Sequence, residues 1–76
     1  MDTAQKLGIA VRGLRRAKGI NQEDFARLAH IDRKYMSDIE NGKRTIGLEI
    51  IERIALGFSM KISDLFIEVE KIKDPE

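Results

Sequence analysis

The stretch "NQEDFARLAHIDRKYMSDIENG", residues 21–42, decides the fold. It holds two helix starts and a helix stop. Asn21 is a good N-cap, and the acids Glu23 and Asp24 follow where a helix dipole favours them. Phe25, Leu28 and Ala29 then point inward from a short helix. Asp32 is a second N-cap, so Arg33 opens the next helix. That helix stops at Glu40-Asn41-Gly42, with the glycine at the left-handed position that favours it. Ala29 to Asp32 leaves a connection of about three residues, and both helices bury apolar faces. A sharp crossing follows, the geometry of a helix-turn-helix over residues 22–41. Ala26, small and near the turn, lets the second of these helices approach the first closely.

The flanking sequence reads as helix too. Leu7, Ala10, Val11 and Leu14 recur at i, i+3, i+4 and i+7, one face of a helix, and Gly19 ends it. A fourth helix runs from about Leu48 with Ile51, Ile54, Ala55 and Phe58 in step, and a fifth carries Ile62, Leu65, Phe66 and Val69. No segment alternates with period two. The expected fold is all-α, five short helices in one domain over residues 1–76. Helices four and five, about 47–70, serve the core, and the tail "KIKDPE" frays.

Composition limits the function. A chain of 76 residues buries only about 60% of its unfolded surface, which leaves little room for a deep enzyme cleft. It has no cysteine, so disulfides, thiolate metal sites and thiol nucleophiles are excluded, and a reducing cytoplasm suits it. No apolar run approaches the roughly 20 residues that cross a bilayer. The N-terminal stretch lacks the pattern of a signal peptide. Net charge is +1, but it is unevenly spread: residues 1–19 carry +4, 20–44 carry 0 and 45–76 carry −3. That polarity would turn the positive half toward a polyanion. The one histidine, His30, lies in a predicted turn, and there is no Gly-rich phosphate loop, so neither an enzyme, a cofactor, a metal nor a small-molecule ligand is expected. RNA binding would need more aromatic platforms than Tyr35 and three phenylalanines supply.

Projection at about 100° per residue places Met36 and Ile39 on the inner side of the third helix. Lys34, Ser37, Asp38 and Asn41 fall opposite, and Arg33 and Tyr35 flank them. Such an arc is either plain solvated surface or a set of groups suited to base edges, with Arg and Lys donating to guanine and Asp accepting from cytosine.

The residues "LRRAKGINQEDFARLAHIDRKYMSDIENGKRT" (14–45), "LEIIERIALGF" (48–58) and "SDLF" (63–66) resemble the Xre/Cro-like helix-turn-helix family, the lambda-repressor fold. Within it they look most like the controller proteins of restriction-modification systems. The resemblance implies a transcription regulator that binds double-stranded DNA as a homodimer on a near-palindromic operator. RNA polymerase is a candidate further partner. By position it assigns base reading to Arg33, Lys34, Ser37 and Asp38 with Tyr35 beside them. It assigns the DNA backbone to Gln22, Asn41, Lys43, Arg44 and Thr45, and pairs Arg15 with Glu40 to tie helix three to helix one. Arg12 and Arg16 either reach phosphate or are solvated. Ile50, Phe58, Met60, Ile62 and Ile67, within helices four and five and their connection (about 47–70), are the candidates for the dimer interface the resemblance suggests. His30 stands where glycine is usual, Gly47 where Ser or Thr often caps helix four, and Lys61 where a polar cap precedes helix five. The alternative is a phage-type repressor or antitoxin acting partly through a protein partner.

Overall fold

The structure, a computed structural model, describes residues 1–75. The helices are α1 (Thr3–Ala17), α2 (Gln22–Leu28), α3 (Arg33–Glu40), α4 (Leu48–Gly57) and α5 (Ile62–Glu70). No strand occurs among the described residues. Local chemistry accounts for the starts. Asp2 opens α1 in a reciprocal capping box with Gln5. Asn21 Oδ1 accepts from the Asp24 amide at 2.8 Å, and Asp32 accepts from the Lys34 and Tyr35 amides. Each side chain satisfies amides that a helix start leaves unpaired. Gly47 and Lys61 cap α4 and α5 with no side-chain bond.

The first four helices all stop in the same way. One residue turns left-handed: Gly19, His30, Gly42 and Ser59, at φ 69°, 57°, 68° and 55°. The amide beyond it reaches back five residues: Ile20 to Arg15, Ile31 to Ala26, Lys43 to Asp38 and Met60 to Ala55, at 2.8–3.1 Å. This is the Schellman closure. The turn from α2 to α3 therefore has a near copy between α4 and α5. Ala26 and Ala55 stand at equivalent places, both buried. Two of the four left-handed residues are not glycine and carry the steric cost of that region. Ser59 is exposed, so Ser59→Gly removes strain and loses no packing. It is expected to stabilise by up to about 1 kcal/mol after the entropy of glycine is subtracted. The midpoint of urea unfolding measures this, and a lower midpoint would refute it.

The core forms around Val11, Phe25, Met36, Ile39, Ile54 and Leu65, all fully buried. α1 packs on α3 and α5, α2 on α3, and α4 on α5. Phe25 and Phe58 stack with ring centroids 4.1 Å apart. Phe58 is thus 2% exposed, and its ring belongs to the chain's own core. That corrects its assignment to a dimer interface: a side chain with so little surface left open has almost none for a partner. Leu28 is also corrected, since it points outward and is 54% exposed. It borders a shallow groove with Leu56, where Arg53 Nη1 donates to the His30 carbonyl at 3.2 Å. Ile62, in step with the inner stripe of α5, is partly exposed because it sits in the first turn, beyond the edge of the core. The tail has no helix after Glu70 but is tied down rather than frayed. Ile72 packs on the core, and Asp74 accepts from the Met1 ammonium and lies 3.8 Å from Lys6 Nζ. Glu76 lies outside the described residues.

Candidate nucleic-acid interface

Met36 and Ile39 anchor α3 from behind, and its N-terminal turn stands clear of the body. Arg33 and Lys34 are exposed there. Arg33 Nη1 lies 3.5 Å from Glu23 of α2, with both side chains open to solvent. Exposed pairs contribute about 0–1 kcal/mol, so Arg33 is easily drawn onto another acceptor. Ser37 and Asp38 are half-buried rather than open. For Asp38 the cause is the chain beyond Gly42, which doubles back along α3: the Lys43 amide donates to the Asp38 carbonyl at 2.9 Å. Arg44 Nε then reaches Asp38 Oδ2 at 3.3 Å, and its guanidinium carbon sits 5.0 Å from the centre of the Tyr35 ring. Lys43 and Thr45 are exposed on the same loop. Lys43 makes no ion pair among the described residues.

Behind this surface lies one buried carboxylate. The Glu40 side chain is 0% exposed. Arg15 donates to both its oxygens, Nε to Oε2 at 2.8 Å and Nη2 to Oε1 at 3.0 Å. Arg12 Nε and Gln22 Nε2 reach Oε1 at 3.3 Å and 3.2 Å. Burial pushes the Glu40 carboxyl up, but the bonds from Arg15, Gln22 and Arg12, with the Arg15 charge, outweigh it and hold the group below its ordinary range. The bond to Glu40 raises Arg15 in turn, against its own burial. The Arg15–Glu40 tie between α1 and α3 is present as expected. Gln22 is not free in this state; its amide group spans α2 and α3. Arg12, expected on phosphate or in solvent, also bonds within the protein: besides Glu40 it holds Asn41, Nη2 to Oδ1 at 2.8 Å, with its side chain 36% exposed. The signal was there, since Arg12 and Arg15 are three apart on one helix and so reach the same point.

The candidate residues therefore gather into one surface: the α3 start with Arg33 and Lys34, the loop with Lys43, Arg44 and Thr45, and Gln22 and Asn41 at the edge nearest Glu40. The proposed interface residues lie elsewhere. Ile50 and Met60 are partly buried on the core, while Ile62 and Ile67 are exposed. Leu48 and Leu56, missed in the sequence, are the most exposed large apolar side chains. Leu56 falls about 200° around α4 from Ile54, which was the cue to its outward direction.

Two helices crossed at a tight turn, the second with its polar arc outward, define a DNA-binding regulator. Residues 11–65 match the helix-turn-helix family, and the chain belongs to it. Among its relatives, control protein C.MunI of a Mycoplasma species is 39% identical over 71 residues, 92% of this chain and 96% of that one. The crystal structure of the restriction-modification controller C.AhdI from Aeromonas hydrophila superposes with a TM-score of 0.79 at 36% identity, covering 83% of this chain and 96% of that one. The controller C.Esp1396I, solved as a tetramer in complex with its natural 35 base-pair operator, has a TM-score of 0.85 at 28% identity, covering 93% of each chain. The all-α architecture with a helix-turn-helix is the one these controllers share. No described helix is long and apolar enough to cross a membrane.

Proposed function

We propose that this chain controls a restriction-modification system in the cytoplasm, binding as a homodimer to a near-palindromic operator. One observation carries the reading: Arg33 and Lys34 project from the first turn of a helix anchored only on its inner side. Two copies of α3 enter successive major grooves, about 34 Å apart. Arg33, Lys34 and Ser37 meet base edges, with Tyr35 beside them. Gln22, Asn41, Lys43, Arg44 and Thr45 meet the backbone and set the register. Ile62 and Ile67, exposed on α5, are the side chains available for the dimer, with Ile50 and Met60 behind them. RNA polymerase is a further partner if the operator overlaps a promoter.

Selection of duplexes from a random pool tests this. Arg33→Ala is expected to cost about 1–3 kcal/mol of discrimination at one base of each half-site. Lys43→Ala is expected to weaken all sequences alike and to lower the slope of log affinity against log salt by about 1. An unchanged base preference in Arg33→Ala would remove it as the reader. A chain that selects no duplex would favour a protein-binding module instead.

A further inference from the structure

We propose that Asp38 is a positioning residue and not a base reader: its carboxylate fixes Arg44 against the Tyr35 ring, so that Arg44 presents a bidentate edge to the DNA backbone. The proposal rests on the DNA-binding reading of α3. It departs from that reading in the role given to Asp38.

An acid on a DNA-facing surface needs a reason, because it repels phosphate. A base reader would hold its oxygens open toward the groove. Asp38 does the opposite. Its side chain is 16% exposed, with Arg44 Nε at 3.3 Å and Lys34 Nζ at 4.0 Å from the same oxygen. A cytosine amino group would have to displace a charge-assisted bond to reach it. The guanidinium of Arg44 is held on two sides. Its Nε edge meets Asp38, and its central carbon sits over the Tyr35 ring within the 6 Å range of a cation–π contact. Its terminal nitrogens, Nη1 and Nη2, make no hydrogen bond among the described residues. Two parallel donors on a planar group are the fork that grips a phosphate. The left-handed turn at Gly42 and the bond from the Lys43 amide to the Asp38 carbonyl bring Arg44 back over α3. Either contact alone would be weak at this exposure. Together they restrict a long side chain whose freedom would otherwise be lost on binding DNA. Lysine at 44 would keep the charge but has no plane to stack and no fork to present.

The test has one arm without DNA and one with it. In the intact free chain, the Arg44 Nε–Hε resonance is expected away from the position of an unrestrained arginine, because Nε donates to Asp38 and the Tyr35 ring lies close by. Asp38→Asn is expected to move it toward the position of an unrestrained arginine, as Tyr35→Leu does. On the duplex that the unmodified chain selects from a random pool, Asp38→Asn is expected to leave the base preference unchanged at every position. In a double-mutant cycle, Arg44→Ala is expected to cost about tenfold in affinity in the native background and about threefold or less beside Asp38→Asn. A base preference that changes at one position of each half-site overturns the proposal. So does an equal cost of Arg44→Ala in both backgrounds, or an Arg44 resonance that stays in place. If the unmodified chain selects no duplex, the DNA reading of α3 fails, and the resonance alone decides whether Asp38 positions Arg44.

Discussion

Glu40→Ala is expected to lower the unfolding free energy by about 3–5 kcal/mol, because it strands Arg15 as a buried cation without its counter-ion. Small domains have only about 5–15 kcal/mol in all, so much of the population would unfold on modest warming. The ion pair itself is weak evidence of stability, since burying two charges costs much of what their attraction returns. The damage comes from removing one partner only. Arg15 then keeps a single bond, Nη1 to the Ile20 carbonyl at 2.9 Å. Arg12 and Gln22 lose their common acceptor, and with it the link that holds the phosphate candidate Gln22 to α3.

The same carboxylate predicts the acid limb of stability. Its folded value is depressed, while in the unfolded chain it titrates near 4.3. Its contribution is therefore fully present above that pH and is lost as pH falls through the folded value. Glu40→Gln, which keeps the shape, is expected to unfold more easily at neutral pH and to show a flatter loss of stability toward acid. Urea unfolding followed by circular dichroism at several pH values measures both. If the acid limb of Glu40→Gln matched that of the unmodified chain, Glu40 would not be the linked group.

Gly8→Ala is the second large effect. Gly8 is buried where α1 crosses α3, and a Cβ there would lie 2.4 Å from the Ile39 carbonyl oxygen and 2.7 Å from that of Glu40. Both are backbone atoms, so no side-chain rotation relieves the clash, and the two helices must part. The expected loss is about 2–3 kcal/mol, or a melting temperature lower by about 10 °C or more. Gly13, five residues on in the same helix, has nothing within 4 Å of its added Cβ. There Gly13→Ala is expected to stabilise by about 0.5–1 kcal/mol through helix propensity. Propensity favours alanine at both sites, so opposite signs in calorimetry isolate the close approach. Equal signs would mean that α1 and α3 do not cross at Gly8. DNA affinity of Gly8→Ala should also fall, since α3 is set in place from this crossing.

Much of the fold was legible because its cues are local. Asn21 and Asp32 satisfy amides two or three residues away. Gly19 and Gly42 occupy positions where their own backbone angle matters, and His30 accepts the same angle in the glycine's place. The apolar stripes of α1 and α4 need only a period. Leu28 meets that period as well, yet its side chain opens to solvent, because the period fixes a direction and not what lies along it. Phe58 was assigned to a partner because the sequence does not reveal that Phe25 has a free face to receive it.

The candidate site divides along the same line. That Arg33 opens a helix and that Met36 and Ile39 face away from it follow from neighbours within one turn, so the residues alone were enough to place a polar arc outward. Which members of that arc stay open is a long-range matter. Asp38 is covered because a glycine turn returns Arg44 across six residues, and Arg12 is paired with a carboxylate 28 positions away. Charges attract through space rather than along the chain, so which cations stay open to solvent and which pair inside the protein was decided by packing.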